Sequence, residues 1–295
     1  MSEPIYLITG VTGATGGAAA RELRKQDRRV RGLVHENDAG AEALRMLGVE
    51  TIVGNLLDLD SIRRAMEGVA GAYFVYPLKK EGLIDATAFT AQAAIEAGVQ
   101  ALVNMSQKSA RREAKSHAAR DHWITEQVFD WSGVPTTHIR PTFFAEWLLY
   151  PLPGWQVKNG VIRFPLGRGR HAPITAEDQG RLIAAVLTNP VPHAGKVYPL
   201  FGPIELDHYE IAEKLSATLG RPFRYEPPSI PQFVTEMQRS GLSARFVQHI
   251  ASVAQDYQDG IFAGTNDIIE TITGKPPLTV EEFVARNRAK FDLAA

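Results

Sequence analysis

The chain contains no cysteine. Disulfides, thiolate nucleophiles and cysteine-ligated metal centres are therefore excluded. Neither charge is in surplus: 32 Lys and Arg against 33 Asp and Glu leave a formal net charge of −1, which gives no electrostatic footprint for nucleic acid or an anionic membrane. Arg28, Arg29 and Arg31 cluster locally and read as a solvated strand entry. No apolar run approaches the about 20 residues that cross a bilayer. The opening Met-Ser-Glu-Pro leads straight into an apolar segment, without the basic stretch and small-residue cleavage site of a secretory signal. A cytoplasmic location is expected, with no membrane or nucleic-acid partner. Internal repeats and low-complexity segments are missing too. The scattered histidines, among them His193, His208 and His249, have no zinc-ligand spacing, so no metal is expected.

In the first half, short β-rich runs at 5–8, 30–34, 51–53, 72–76, 101–105 and 137–139 alternate with helix-length segments. That alternation predicts α/β architecture, a doubly wound parallel Rossmann sheet. In the candidate helix 14–25, Ala18, Ala19 and Leu23 face the sheet while Arg21, Glu22, Arg24 and Lys25 face water. Residues 60–66 and 86–97 give further helices. After Pro141 the regular alternation stops, and helical patterns recur at 177–187, 208–219, 230–239, 244–257 and 280–291. We expect a dinucleotide-binding domain over 1–142, with a return strand near 196–200, and a smaller, mainly helical substrate domain over 143–295.

Directly after the first strand stands Gly10-Val11-Thr12-Gly13-Ala14-Thr15-Gly16, a GxxGxxG turn opening the first helix. Gly10 permits the tight turn, Gly13 lets backbone approach a pyrophosphate, and Gly16 lets the helix pack closely. Free backbone N–H groups and the positive end of the helix dipole then hold the anion. The second strand ends in His35, Glu36, Asn37 and Asp38. A 2′-phosphate calls for Arg or Lys at that tip, whereas carboxylates repel it. NAD(H) is therefore favoured, with NADP(H) left open because Arg31 can reach round; His35 and Glu36 are equally readable as solvated loop residues.

At this point the chain resembles the NmrA-like atypical short-chain dehydrogenases/reductases along essentially its whole length. The resemblance rests on the glycine turn, Gly54-Asn55-Leu56, Tyr73-Phe74-Val75-Tyr76-Pro77, Asn104-Met105-Ser106, Ser132-Gly133-Val134-Pro135, Ile139-Arg140-Pro141-Thr142-Phe143-Phe144 and Leu278-Thr279-Val280-Glu281-Glu282-Phe283. It implies that Asn55 and Leu56 contact adenine, and that Tyr76 and Pro77 lie along the adenosine ribose and pyrophosphate. It also implies that Ser106 sits near the nicotinamide ribose, with Pro141, Thr142 and Phe143 lining the nicotinamide. Many NADP-binding relatives carry Arg at the position of His35; the fungal NmrA regulator is similar to this chain in having a Val-His pair there.

Ordinary short-chain dehydrogenases pair Tyr-x-x-x-Lys so that the ammonium lowers the phenol pKa. Here the expected helix carries Arg120-Asp121-His122-Trp123 instead, and the literal match from Tyr76 to Lys80 follows the fourth strand. His122 becomes the candidate proton donor, with Ser106 and Lys108 as orienting or polarising groups; a helix-surface histidine is the alternative reading. Phe143, Phe144, Trp147, Tyr150 and Trp155 form an aromatic segment suited to a flat apolar acceptor, although such rings also build cores. His171, on Gly167-Arg168-Gly169-Arg170, lies on a basic turn able to approach the pocket or a phosphate. The sequence thus points to an NAD(P)H-dependent oxidoreductase acting on a small aromatic, quinone-like or dye-like acceptor, since the resemblance implies reductases of quinones, triphenylmethane dyes and phenylpropanoid ethers. The competing expectation is a non-catalytic dinucleotide-binding redox sensor that signals to a protein partner.

Overall fold

The alternating runs pair as a seven-stranded, all-parallel sheet in the computed structural model, which describes residues 3–150 and 156–293. Its strands are β1 (Ile5–Ile8), β2 (Arg29–Val34), β3 (Glu50–Val53), β4 (Val69–Phe74), β5 (Ala101–Met105), β6 (Thr136–Pro141) and, after the small strands β7 (Gln156–Lys158) and β8 (Val161–Arg163), β9 (Val197–Leu200). Their spatial order is β3-β2-β1-β4-β5-β6-β9. The order reverses between β1 and β4, and an open parallel sheet offers its ligand crevice beyond the carboxyl ends of the strands at such a point. The fourth strand ends two residues earlier than expected, for a local reason. Val75 N–H is taken by Thr9 Oγ1 (2.9 Å) instead of a neighbouring strand, so the chain leaves the sheet there and opens the crevice.

The connecting helices are α1 (Ala14–Lys25), α2 (Ala39–Met46), α3 (Leu59–Met66), α4 (Leu83–Ala97), α5 (His117–Ser132) and α6 (Ala176–Thr188). Helix α2 was not foreseen; Asp38 caps it by accepting Ala41 N–H at 2.9 Å. One sheet face is covered by α1 and α6 over Ile8, Leu23, Tyr73, Val103, Ile139 and Leu182, the other by α3, α4 and Phe129 of α5 over Leu7, Ile62, Phe74 and Leu102. Helix α1 buries Gly16, Gly17 and Ala18–Ala20 because α6 packs on its outer side. A Cβ on Gly180 of α6 would lie 2.6 Å from Ala18 Cβ and 2.7 Å from the Ala18 carbonyl carbon.

Beyond β6 a second core gathers Phe143, Phe164, Leu215, Phe233, Ile250, Tyr257 and Phe283. It is built from α7 (His208–Leu219), α8 (Ile230–Arg239) and α9 (Ala244–Gln258), and, after α10 (Ile268–Thr273), which packs on α6, from α11 (Val280–Arg286) and α12 (Arg288–Leu293). Two features depart from the sequence reading. β7 and β8, with β10 (Arg224–Tyr225), form a separate three-stranded sheet too short to show a period. The final helix breaks at Asn287, whose side chain bonds back to Phe283 O at 2.9 Å.

Gly180→Ala should destabilise the protein by about 1–3 kcal/mol, the usual cost of forcing a methyl group into a packed core. Chemical denaturation reads this directly; an unchanged midpoint would show that α1 and α6 are not in this close contact.

Candidate functional site

The turn from β1 to α1 is shaped by contacts only glycine tolerates. Gly10 has φ +56°, and a Cβ there would lie 2.6 Å from Val75 Cγ1. A Cβ on Gly16 would lie 2.3 Å from the Gly10 carbonyl oxygen. Gly13, the N-cap residue of α1, receives no side-chain cap, so the leading N–H groups of the helix have no side-chain acceptor. Thr9 staples the turn to β4, since its hydroxyl also donates to Val75 O (3.2 Å), and Thr15 Oγ1 lies 2.9 Å from the buried Tyr73 hydroxyl.

This turn floors a cavity of about 550 Å³. Gly10, Thr12, Gly13, Ala14 and Thr15 form one end; Val75–Leu78, Met105–Gln107 and Pro141–Phe144 continue it along the strand ends. Trp147, Tyr150, His122 of α5, Phe262, and His249, Ile250 and Val253 of α9 complete the walls. None of these lining side chains is charged apart from the titratable imidazoles. Three polar atoms of lining residues are buried without a hydrogen-bond partner: Ser106 Oγ, Gln107 Nε2 and His122 Nδ1. An uncapped helix start, a backbone cradle without Cβ atoms and unpaired polar atoms further along the same groove fit a dinucleotide running from pyrophosphate to nicotinamide.

The imidazoles are neutral. Burial pushes His122 down to about 4, against the opposing pull of Glu126 and Asp121. Burial, with His122 and Arg245 nearby, pushes His249 down to about 3. His122 is thus neither a surface residue nor a charged acid at neutral pH. His249 Nδ1 lies 2.7 Å from Ser116 Oγ, which also accepts Ala119 N–H at 3.1 Å as the cap of α5. Helix α9 is held against the β5–α5 segment by Arg111 paired to Asp256 (2.9 and 2.6 Å), by Gln248 to Lys115 O (2.9 Å) and His117 N (3.2 Å), and by Arg245 to Asp121.

Other expected site residues lie elsewhere. His35 and Asn55 are exposed at the ends of β2 and β3, and Leu56 is half-buried against the α3–α4 face. Tyr76 does line the cavity, with its hydroxyl donating to Glu81 O at 2.5 Å. Lys108 is outside the lining, its ammonium 4.8 Å from the Phe201 ring centre; desolvation and the nearby Arg140 lower its pKa. His171 is buried beneath Phe143, 2.5 Å from the Tyr257 hydroxyl and stacked on His208, while Arg168 lies over Tyr209 and Arg170 pairs with Glu205 and Glu210. The basic turn is therefore folded into the second core's own network. Arg31 does not reach round to the β2 tip: it bonds Glu50 and the carbonyls of Ala65 and Glu67. Trp155 lies outside the described residues. Among the described residues no cluster suited to a metal ion occurs, and no helix is long and apolar enough to cross a membrane. Sequence reasoning missed Met105 and Gln107, which flank Ser106 at a strand end, and the α9 face of His249, Ile250 and Val253, for which no local signal exists.

Residues 3–283 match the model of the NmrA-like family. An NAD(P)H azoreductase of Xenophilus azovorans is 30% identical over 292 residues, covering 98% of this chain and 100% of that protein. An NADPH-dependent quinone oxidoreductase from Escherichia coli, solved with NADPH, has a TM-score of 0.83 at 24% identity over 96% of this chain and 99% of that one. NmrA, a negative transcriptional regulator solved with NAD, has a TM-score of 0.81 at 16% identity over 97% and 95%. These two structures share the fold, an NAD(P)-binding Rossmann sheet with a helical C-terminal region.

Besides His122 and His249, burial holds His208 near 3 and His171 well below its usual value. In the unfolded chain each imidazole binds a proton near pH 6.5, so below that pH the unfolded state carries more protons and is favoured. Stability is full above about pH 6.5 and falls as the pH drops towards the folded values. Each histidine should cost about 1 kcal/mol between pH 7 and 5.5. Thermal unfolding should therefore show Tm falling over this range; a flat Tm would show that the imidazoles are solvated in the folded protein.

Proposed function

This chain belongs to the NmrA-like family, and from that premise we propose that it is an NAD(P)H-dependent reductase of a small, uncharged aromatic or quinone-like acceptor. One observation carries the reading. The cavity does not end at Ser106, Pro141, Thr142 and Phe143, beside which a nicotinamide fits, but continues among Phe144, Trp147, Tyr150, Ile250, Val253 and Phe262. Space walled by rings and aliphatic groups favours a flat apolar ligand through burial and edge contacts. The azoreductase and quinone oxidoreductase among the similar proteins support that acceptor class by analogy.

When bound, the dinucleotide supplies a hydride. The chain's own residues bind and orient. The glycine turn holds the pyrophosphate on backbone N–H groups, and Tyr76 and Pro77 flank the adenosine half. Ser106 and Thr142 offer hydroxyls at the nicotinamide end. Phe143 holds its edge against Phe262 and Tyr257 (centroids 4.9 and 5.3 Å), a rigid wall that excludes water. His122, neutral, is assigned a hydrogen-bonding role instead of acid catalysis. Lys108 receives no role at the acceptor.

For the cofactor we place NAD(H) first. The cations near the β2 tip are already engaged: Arg31 as described, and Arg45 with Glu42 (2.7 Å), Asn37 (3.2 Å) and Thr51 (2.8 Å). A 2′-phosphate would have to break these contacts beside Glu36. Fluorescence titration should find NADH bound at least as tightly as NADPH; NADPH binding tenfold tighter would overturn the assignment.

The reductase is tested by mixing the protein with reduced dinucleotide and a panel of quinones, azo dyes and triphenylmethane dyes, following loss of dihydronicotinamide absorbance. Saturable oxidation is expected. Gly13 has an ordinary φ of −85°, and a Cβ there would lie 3.1 Å from the Gly10 carbonyl oxygen, so Gly13→Ala tests the approach of the pyrophosphate with one tight contact and no left-handed backbone. It should weaken dinucleotide binding by about tenfold or more, roughly 1.4 kcal/mol, with a small fall in Tm. Tight binding with no turnover across the panel points instead to the redox-sensor reading, in which the dinucleotide complex is recognised by a protein partner.

A further inference from the structure

Two imidazoles face the cavity, and only one has its tautomer fixed. His122 Nδ1 has no partner. His249 Nδ1 meets Ser116 Oγ at 2.7 Å, and that oxygen already accepts Ala119 N–H at 3.1 Å. Ser116 is fully buried, and His249 Nδ1 is the one ring partner its proton has. If the imidazole were the donor, the serine proton would be left unpaired in the interior, at a cost of about 1–3 kcal/mol. The satisfied arrangement has Ser116 donating to Nδ1. The proton of the neutral ring then sits on Nε2, the ring nitrogen that Ser116 does not engage. The ring is carried on α9, on the same helical face as the lining residues Ile250 and Val253, and α9 is anchored by the buried Asp256 to Arg111.

We propose that His249 is a catalytic hydrogen-bond donor of this chain: its Nε2–H binds the carbonyl oxygen, or the equivalent azo nitrogen, of a neutral acceptor, and Ser116 is the positioning residue that fixes the donor tautomer. This rests on the reductase reading above and names the acceptor chemistry within it. An acceptor carbonyl that takes up a hydride, two electrons and one proton supplied by the bound dihydronicotinamide, becomes an oxyanion; the dinucleotide is oxidised by two electrons. The oxyanion receives its second proton from water. His249 lends a hydrogen bond throughout and keeps its own proton, because Ser116 is fully buried and has no proton source behind it. A pre-oriented N–H in a cavity without charged side chains stabilises a developing anion more than the same group in water. Acceptors that already carry a negative charge lose their hydration on entry, a cost larger than one neutral donor returns.

Two substitutions separate the donor from the packing. His249→Asn keeps an acceptor at the Nδ1 position for Ser116 and removes the group that reaches the cavity. His249→Gln restores an amide N–H at the Nε2 position. With a quinone, His249→Asn should lower kcat about 100-fold, with dinucleotide affinity and Tm near parental, and His249→Gln, which leaves Ser116 without its Nδ1 acceptor, should recover part of it at a lower Tm. Equal losses in both variants, or none, overturn the proposal. A second measurement does not depend on turnover: 15N-histidine NMR should show His249 as the Nε2–H tautomer, lost in Ser116→Ala. Its N–H resonance should shift when 2-methyl-1,4-naphthoquinone is added with the oxidised dinucleotide, a mixture that cannot react. A parent that turns over nothing while this shift appears removes the reductase reading and leaves the donor site standing. An Nδ1–H tautomer, or no shift with the quinone bound, removes the donor site whatever the turnover.

Discussion

Helix α1 comes so close to the turn preceding it that Gly16 has no room for a single added carbon against the Gly10 carbonyl. Three structural consequences follow from that approach. The helix axis is brought up to the end of β1, so its uncapped N–H groups face the crevice instead of solvent. Gly10, freed by φ +56°, tucks against Val75 and draws β1 to β4 at the point where the sheet order reverses. The small residues that continue the helix, Gly17 and Ala18–Ala20, then let α6 lie against it, completing the cover of the same sheet face. Any larger residue at Gly16 or Gly180 would lift a helix and with it the dipole that makes the crevice an anion site.

The second core is tied to this frame by a set of polar contacts. Helix α9 carries the lining residues His249, Ile250 and Val253, and it is fixed to the β5–α5 segment by Arg111–Asp256, Gln248, Arg245–Asp121 and Ser116–His249. Charged groups in this latch point away from the cavity lining and are paired, while the groups that line it are neutral. The arrangement keeps the interior polarisable by hydrogen bonds without placing an unpaired charge in it, which would cost far more than any one of these contacts gives.

What could be read in the sequence is what is encoded locally. The strands of the large sheet, the glycine turn and helix 14–25 follow from period and composition, and the turn's meaning follows from standing between strand and helix. The cluster at Pro141–Phe144 and Ser106 came from family resemblance, and the structure brings those residues to one cavity. Partnerships across the chain were hidden. Nothing near Arg31 indicates that Glu50 and two carbonyls will occupy it, and nothing near His171 indicates that Tyr257, 86 residues away, will take its nitrogen. His249 was passed over as one of several scattered histidines because Ser116 is 133 residues distant.

The missing Tyr-x-x-x-Lys pair carries less weight in this setting than it does in a polar active site. That pair matters where a proton must be transferred in step with hydride, a contribution of about 10²–10⁴. Quinone-like and azo acceptors form delocalised anions, whose protonation can follow hydride transfer, and a cationic triphenylmethane dye becomes neutral on taking up hydride and needs no proton. For them a fixed dipole aimed at the atom that gains charge supplies about 10²–10³ without any proton moving. The cavity offers such dipoles on uncharged side chains, Ser106, Thr142 and the two imidazoles, and holds both imidazoles far below neutrality. On the proposed reductase reading, a site organised in this way would select for acceptors whose reduced form can wait for water. Simple ketones, whose alkoxides cannot wait, are poorly served by it, and so the lack of a tyrosine and the neutrality of His122 and His249 point to the same class of substrate.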